Sequence, residues 1–422
     1  MKKVKYLIVG AGVSGISAAN FLGKDQDYLI IEKENSIGGY CRTIYQDGFI
    51  WDYSGHFFHF KDEEIKKLVL KNINPADLIS IKKSTCILYK GEYISFPFQK
   101  YISELPKDEF IDCLYDFYFR NSIENSGHNF LGWLYSSLGK SITDKFVKPY
   151  NEKLYACSLD KLDINAMGRF FPVVTLNDLI SSFKQKQDDS YNNTFVYPRK
   201  GAITYINSLA KDINQDRIFL NESVLGIDLA KKIAFTINHI INYDYLISTI
   251  PLDSLLRITS KPFDQNIYSS NKVIVFNMGF DKPFDKHDYH WIYIPDNDIV
   301  FYRVGFYSNI LGESRGSIYV EIGMNQNDKV DFESLKVQVL QDLQKLKIIE
   351  DHKLISHSAV VMNPAYLHLS KDSIVDSQLK ISDLRDNSVY CVGRYAEWTY
   401  CAIEDNILSA REAVKDILQL ER

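Results

Sequence analysis

The chain has 422 residues, of which 45% are hydrophobic, and carries a formal net charge of −5. A chain of this length exceeds one compact core and divides into two or three domains. The acidic balance argues against nucleic acid or an acidic membrane as a partner, because both want a basic face, and no segment approaches the ~20 uninterrupted apolar residues of a membrane span.

The first elements in chain order form one composite motif. Residues 4–9 read as a strand that meets Gly10, Gly12 and Gly15, a helical stretch follows, and a second strand, residues 28–31, ends on Glu32. This is a βαβ dinucleotide fingerprint in its required context. Gly10 permits the tight turn, Gly12 lets a pyrophosphate approach the backbone, Gly15 lets helix and strand pack closely, and Glu32 can accept a ribose hydroxyl. Val13 and Ser14 open the helix whose unpaired N–H groups face the phosphates, and Lys33 follows the acid. Glycines also recur in ordinary turns, but here strand, helix and acid fall together. The first strand begins almost at once, which leaves no room for a signal peptide. A second glycine pair, Gly38-Gly39, then precedes Tyr40, and Ser54-Gly55-His56 follows. Paired glycines remove side chains where a second stretch of backbone must lie against a large ligand. A nicotinamide dinucleotide has no need of that second approach, whereas the longer FAD does.

Residues 79–93 alternate in strand fashion and turn at Lys90-Gly91. Over 106–186 the pattern becomes helical: Phe110, Ile111, Leu114, Phe117 and Tyr118 recur at three- and four-residue spacing, as do Phe130, Trp133, Leu134 and Leu138. A strand at 194–198 leads to a helix through Tyr205, Ile206 and Leu209, and 243–250 reads as a buried strand leaving its sheet at Pro251. From 272 to about 361 come strand-rich runs, including 273–278, 291–294, 299–306 and 317–322, interrupted by one helix over 332–346. The last unit is a strand at 388–393 feeding a helix whose apolar face includes Ile403, Ile407, Ala410, Val414 and Ile417. The expected fold is α/β: a discontinuous Rossmann-like FAD-binding domain (1–75, 190–255 and 385–422), an inserted helical lobe (100–190) and a mainly antiparallel β substrate domain (76–99 and 256–384). The six cysteines are scattered without CxxC spacing, which reads as buried free thiols in a reducing cytoplasm and suggests neither a metal site nor a cysteine nucleophile.

Four short motifs lie beyond the fingerprint. They are Phe96-Pro97-Phe98-Gln99, the run from Lys148 to Tyr155 that contains Asn151, Trp291-Ile292-Tyr293 with Arg303 behind it, and the run from Gly393 through Arg394 to Tyr400. Arginine forks suit a diphosphate, although a single arginine is more often a surface ion pair. With the fingerprint, these motifs resemble the UDP-galactopyranose mutase family, within the larger group of FAD proteins that includes amine oxidases, phytoene desaturases and protoporphyrinogen oxidases. The resemblance runs from Tyr6 to about Val414.

The resemblance implies roles residue by residue. Arg303 and Arg394 would bind the substrate diphosphate, with Tyr366 and Tyr400 donating hydroxyls to it. Phe96, Phe98, Gln99, Trp291 and Tyr293 would form the nucleotide pocket, though each aromatic could equally be core. His56 would stand beside the flavin, with a satisfied buried histidine as the alternative. Asn151, Tyr155 and Arg169 would lie near the sugar and the lobe interface, and Gly393 with Arg394 would touch the cofactor. Three departures stand out: Tyr155 where the family usually has tryptophan, Phe96 where one branch has tyrosine, and Glu404 where that branch has asparagine. Glu404 therefore points away from the diphosphate or contacts sugar hydroxyls.

The implied activity is an isomerisation of UDP-galactopyranose, or a related nucleotide sugar, to the furanose. It runs with no net oxidation through a flavin N5–sugar adduct on reduced FAD. The implied setting is cytoplasmic polysaccharide precursor synthesis, with NAD(P)H or another reductant as a partner. The sequence leaves oligomeric state, sugar and nucleobase open. Two other readings remain: an FAD amine oxidase, protoporphyrinogen oxidase or desaturase, and a non-catalytic flavin-fold binding protein.

Overall fold

The computed structural model describes residues 1–120, 129–184, 193–284 and 288–421. The mixed α/β architecture is organised by two seven-stranded sheets. In the first, Lys2–Val9 lies between Ile240–Ser248 and Tyr28–Ile31, and all three run parallel. Val389–Cys391 adds in parallel to the second half of Ile240–Ser248, and Ile218–Phe219 to Tyr28–Ile31. Tyr6, Leu7 and Ile8 are all fully buried, the mark of a parallel strand covered on both faces. One face packs under helices Val13–Leu22, Ile203–Ala210 and Ile403–Leu420, where Ile407, Ala410, Val414 and Ile417 enter a common core with Ile8 and Ile16. Each buried isoleucine of that stripe contributes about 1.5–3 kcal/mol. Val9, Ile31, Ser248 and Cys391 end on the same edge of the sheet, so the segments after them converge on one crevice, the place where open α/β sheets bind ligands.

The second sheet runs in the order Leu354–Met362, Asn271–Phe280, Ser317–Asn325, Arg303–Phe306, Trp291–Tyr293, Thr85–Tyr89, Glu92–Ser95. It is antiparallel except where Trp291–Tyr293 meets Thr85–Tyr89. Lys90 and Gly91 both take positive φ, as a tight two-residue hairpin turn requires. The register sets Arg303 directly opposite Glu321. In the inserted segment, Lys107–Phe119, Phe130–Leu138, Lys148–Tyr155 and Leu176–Ser182 are helical, and a π-helical turn, Thr143–Val147, precedes Lys148–Tyr155.

Several elements differ from expectation. The strand expected over 299–306 shortens to Arg303–Phe306, because the half-buried Lys153 Nζ donates to the carbonyls of Ile294, Asp296 and Phe301 at 3.1, 2.8 and 2.6 Å and folds that segment into a loop. Helix Lys371–Asp386 was not expected; its buried positions include Ser373 and Ser377, which give no apolar period. Leu78–Lys82 and Thr194–Pro198, assigned to different domains, pair with each other in a separate ribbon. The expected lobe boundary at 190 lies outside the described residues.

This ribbon abuts the hairpin Thr43–Gln46/Phe49–Asp52, which ends on a buried carboxylate. Asp52 accepts from Thr43 Oγ1 at 2.6 Å, Tyr197 OH at 2.7 Å and the Ala202 amide at 3.0 Å, and burial outweighs these bonds, pushing its pKa up to about 6. A raised carboxyl pKa means that the native state holds the proton more tightly than the unfolded chain. Stability is therefore fully present below about pH 4 and is lost as pH rises through 6. Asp52→Asn keeps the shape: its oxygen can still accept from Thr43 and the Ala202 amide, and its NH2 can donate to a reoriented Tyr197 hydroxyl. The variant is expected to be more stable at pH 8 by on the order of 2 kcal/mol, with the gain vanishing toward pH 4. Melting curves from pH 4 to 8 check this; a gain independent of pH would contradict it.

Candidate active site

The crevice at the sheet edge is built by two glycine segments. Gly10 has φ +104° and donates to Ile31 O at 2.8 Å, while a Cβ on Gly15 would lie 1.9 Å from Gly10 O. Gly38 donates to Ala11 O at 2.8 Å, and a Cβ on Gly39 would lie 3.3 Å from Gly12 Cα. Glu32 is buried at the mouth, its carboxylate accepting from the Ala11 and Glu34 amides at 2.7 and 2.9 Å. Each oxygen keeps a lone pair for a further donor. Lys33 is exposed, its Nζ 3.9 Å from the Glu34 carboxylate. From the last strand, Gly393 closes on the fingerprint: its added Cβ would meet Ser14 Oγ at 2.2 Å, and Asn406 Oδ1 accepts from Ser14 Oγ at 3.3 Å and the Arg394 amide at 2.9 Å.

These features fit a dinucleotide cofactor on grounds internal to the structure. Side-chain-free backbone lines the crevice, the acid is oriented by the loop, and Arg42 Nε and His56 Nδ1 are shielded from water with no partner among the described residues. Arg42 was missed as a candidate, although its place three residues after Gly39 was the available signal. The Tyr40 hydroxyl donates to Pro364 O at 3.1 Å, and its ring meets Tyr395 edge-on at 5.9 Å.

Beyond the crevice lies an aromatic cleft. The Arg394 guanidinium stands over the rings of Tyr400, Tyr366 and Tyr395 at 4.6, 5.1 and 5.8 Å. Its Nε and NH2 have no partner, and no carboxylate pairs with it among the described residues. Tyr366 meets Tyr400 at 6.2 Å and Tyr155 at 5.6 Å. Tyr155 is fully buried, and its hydroxyl has no partner among the described residues. Asn151, one helical turn earlier, donates to Val147 O at 2.7 Å and leaves Oδ1 unpaired. Phe96 stacks on Tyr293 at 4.6 Å, and Trp291 on Phe57 at 5.4 Å. Burial, reinforced by Arg303 and Arg394, draws the His56 imidazole down to about 4, so it is neutral at pH 7.

Four candidates are otherwise engaged. Phe98 is fully buried, packed against Phe146 at 5.1 Å and Tyr89 at 5.6 Å, which makes it core rather than pocket wall. The buried Gln99 amide is spent on Pro172 O. Arg169 is half exposed and pairs with Asp405 Oδ1 at 2.5 Å, tying the lobe to the first turn of the last helix. Arg303 gives its fork to Glu321. The alternatives for Glu404 resolve: it points away from the cleft and accepts from the amides of Lys61 and Asp62, both at 2.9 Å.

A two-sheet α/β fold with this glycine crevice defines a flavoprotein. The family profile of flavin containing amine oxidoreductases matches residues 13–418, and the chain belongs to that family, with FAD as its cofactor. Among solved structures, it is similar to a reduced UDP-galactopyranose mutase (22% identity, TM-score 0.91, 99% of this chain and 96% of that one). It is also similar to a putative protoporphyrinogen oxidase from Exiguobacterium sp. 255-15 (17% identity, TM-score 0.80, 100% and 99%). A third similar structure is the cyclohexylamine oxidase from Brevibacterium oxydans (13% identity, TM-score 0.73, 99% and 100%). At these identities the likeness establishes the fold. Among the described residues, no helix is long and apolar enough to cross a membrane.

Proposed function

We propose that the protein is an FAD-dependent nucleotide-sugar mutase that converts UDP-galactopyranose, or a related nucleotide sugar, to the furanose without net redox change. The observation that carries this reading is Arg394: a guanidinium with two water-shielded, unpaired N–H groups, no carboxylate partner among the described residues, and three tyrosines around it. A cation so placed is costly until an anion arrives, and a diphosphate supplies one in bidentate geometry. The same cation repels a protonated amine, which disfavours an amine oxidase.

FAD would be held by Gly10, Gly12, Val13, Ser14, Gly15, Glu32, Gly38, Gly39, Tyr40, His56 and Gly393, and when bound and reduced it supplies a nucleophilic ring nitrogen. Arg394 and the hydroxyls of Tyr366 and Tyr400 would hold the departing diphosphate close enough to return. Neutral His56 would offer a hydrogen bond without adding charge, and Asn151 with Tyr155 would offer unpaired polar atoms to a sugar. Phe96, Trp291 and Tyr293 would wall the nucleobase. The three-part domain division, a cytoplasmic setting, an external reductant such as NAD(P)H and a product used for polysaccharide belong to the same reading.

Incubation with UDP-galactose and a nucleotide-sugar panel under dithionite tests it, with chromatography to resolve the furanose isomer. Turnover is expected only with reduced flavin. Oxygen consumption with an amine, and no isomer from any nucleotide sugar, would overturn the proposal.

A further inference from the structure

Arg303 does not face the cleft as a free cation. Its Nε donates to Glu321 Oε2 at 2.8 Å and its NH2 to Oε1 at 2.7 Å, across the register that pairs Arg303–Phe306 with Ser317–Asn325. Glu321 is fully buried, and it also accepts the hydroxyl proton of Ser54. Ser54 lies on the segment whose turn, His56 N–H to Ser54 O at 2.7 Å, presents His56. That segment has no slack against the sheet: a Cβ on Gly55 would lie 2.3 Å from the Tyr319 hydroxyl. One carboxylate thus fixes both the fork of Arg303 and the backbone that carries His56.

We infer that Glu321 is a positioning residue of the reaction, orienting Arg303 through its fork and the His56 segment through Ser54, so that the diphosphate side and the flavin side of the cleft are set from one point. The inference rests on the nucleotide-sugar reading. Its electrostatic consequence has a definite sign. As a pair, Arg303 and Glu321 are neutral, while Arg394 has no carboxylate partner among the described residues. Removing the negative charge of Glu321 frees a second cation for anion binding while releasing the geometry that turnover needs. A merely structural role would weaken binding and turnover together.

Glu321→Gln keeps the side-chain shape and one acceptor oxygen. In the FAD-loaded protein, UDP measured by calorimetry is expected to bind about 3–10-fold tighter, while kcat on the nucleotide sugar falls about tenfold or more. Ser54→Ala retains the Arg303–Glu321 fork and cuts only the link to His56; it is expected to lower kcat about 3–10-fold with UDP affinity within about twofold of wild type. Should Glu321→Gln not fold, the serine variant decides. Unchanged kcat in Ser54→Ala, or UDP binding lost in step with turnover in Glu321→Gln, overturns the role of Glu321 while wild type still binds UDP. A wild-type protein that binds no UDP overturns the nucleotide-sugar reading and this inference with it.

Discussion

Replacing Arg394 by alanine is expected to abolish nearly all turnover while leaving a yellow, folded protein. Two charge-assisted hydrogen bonds from its Nε and NH2, each contributing about 1.5–3 kcal/mol, correspond to a loss of roughly 10²–10⁴-fold in kcat/KM. The stability effect is smaller than that of truncating an ordinary buried side chain. In the ligand-free protein, those two nitrogens have no acceptor and the charge has no carboxylate partner among the described residues, so the guanidinium is itself a cost. The rings of Tyr366, Tyr395 and Tyr400 offset part of it by cation–π attraction, on the order of 0.5–2 kcal/mol. The melting temperature of Arg394→Ala, measured without substrate, is expected to fall by no more than about 2 °C. Arg394→Lys keeps the charge and loses the fork, and should recover only part of the rate. A variant that turns over within about twofold of wild type would remove Arg394 from the site.

The parts of this molecule that were legible in the sequence are those whose physics is local. Gly10, Gly12, Gly15 and Glu32 act within one βαβ unit, where hydrophobic runs and glycine spacing carry the whole message. The last helix announced its buried face through Ile407, Ala410, Val414 and Ile417 for the same reason. What resisted reading depends on register and orientation. Nothing local marks Glu321 as the partner of Arg303; the pairing of two strands sets them opposite. Phe98 and Phe96 belong to one short motif, yet the backbone sends Phe98 into the core with Phe146 and Phe96 onto Tyr293. Helix Lys371–Asp386 hid because its inward positions are partly serine, and the loop before Arg303 because a lysine from another segment captures its carbonyls.

Gly12 offers a sharper test of the crevice than any charged residue, because the protein alone gives no reason for a glycine there. Its φ of −75° is open to every amino acid, and a Cβ at that position would come no closer than 3.9 Å to Gly39 Cα, an ordinary contact. Gly15 is the opposite case, since an added Cβ would sit 1.9 Å from the carbonyl oxygen of Gly10. Alanine at 15 must therefore disturb the first βαβ unit itself, and Gly15→Ala is expected to yield little soluble protein. Alanine at 12 fits the chain and fails only if something else must lie against that backbone. Gly12→Ala is expected to fold, with a far-UV circular dichroism spectrum matching that of deflavinated wild type, and to lose FAD affinity by about 100-fold or more, the scale of a displaced pyrophosphate contact with its charge-assisted N–H bonds. Flavin absorbance per mole of purified protein reads the outcome directly. A fully yellow Gly12→Ala protein would mean that the cofactor keeps clear of this turn, and the cradle would then have to be sought in Gly38, Gly39 and Gly393 alone.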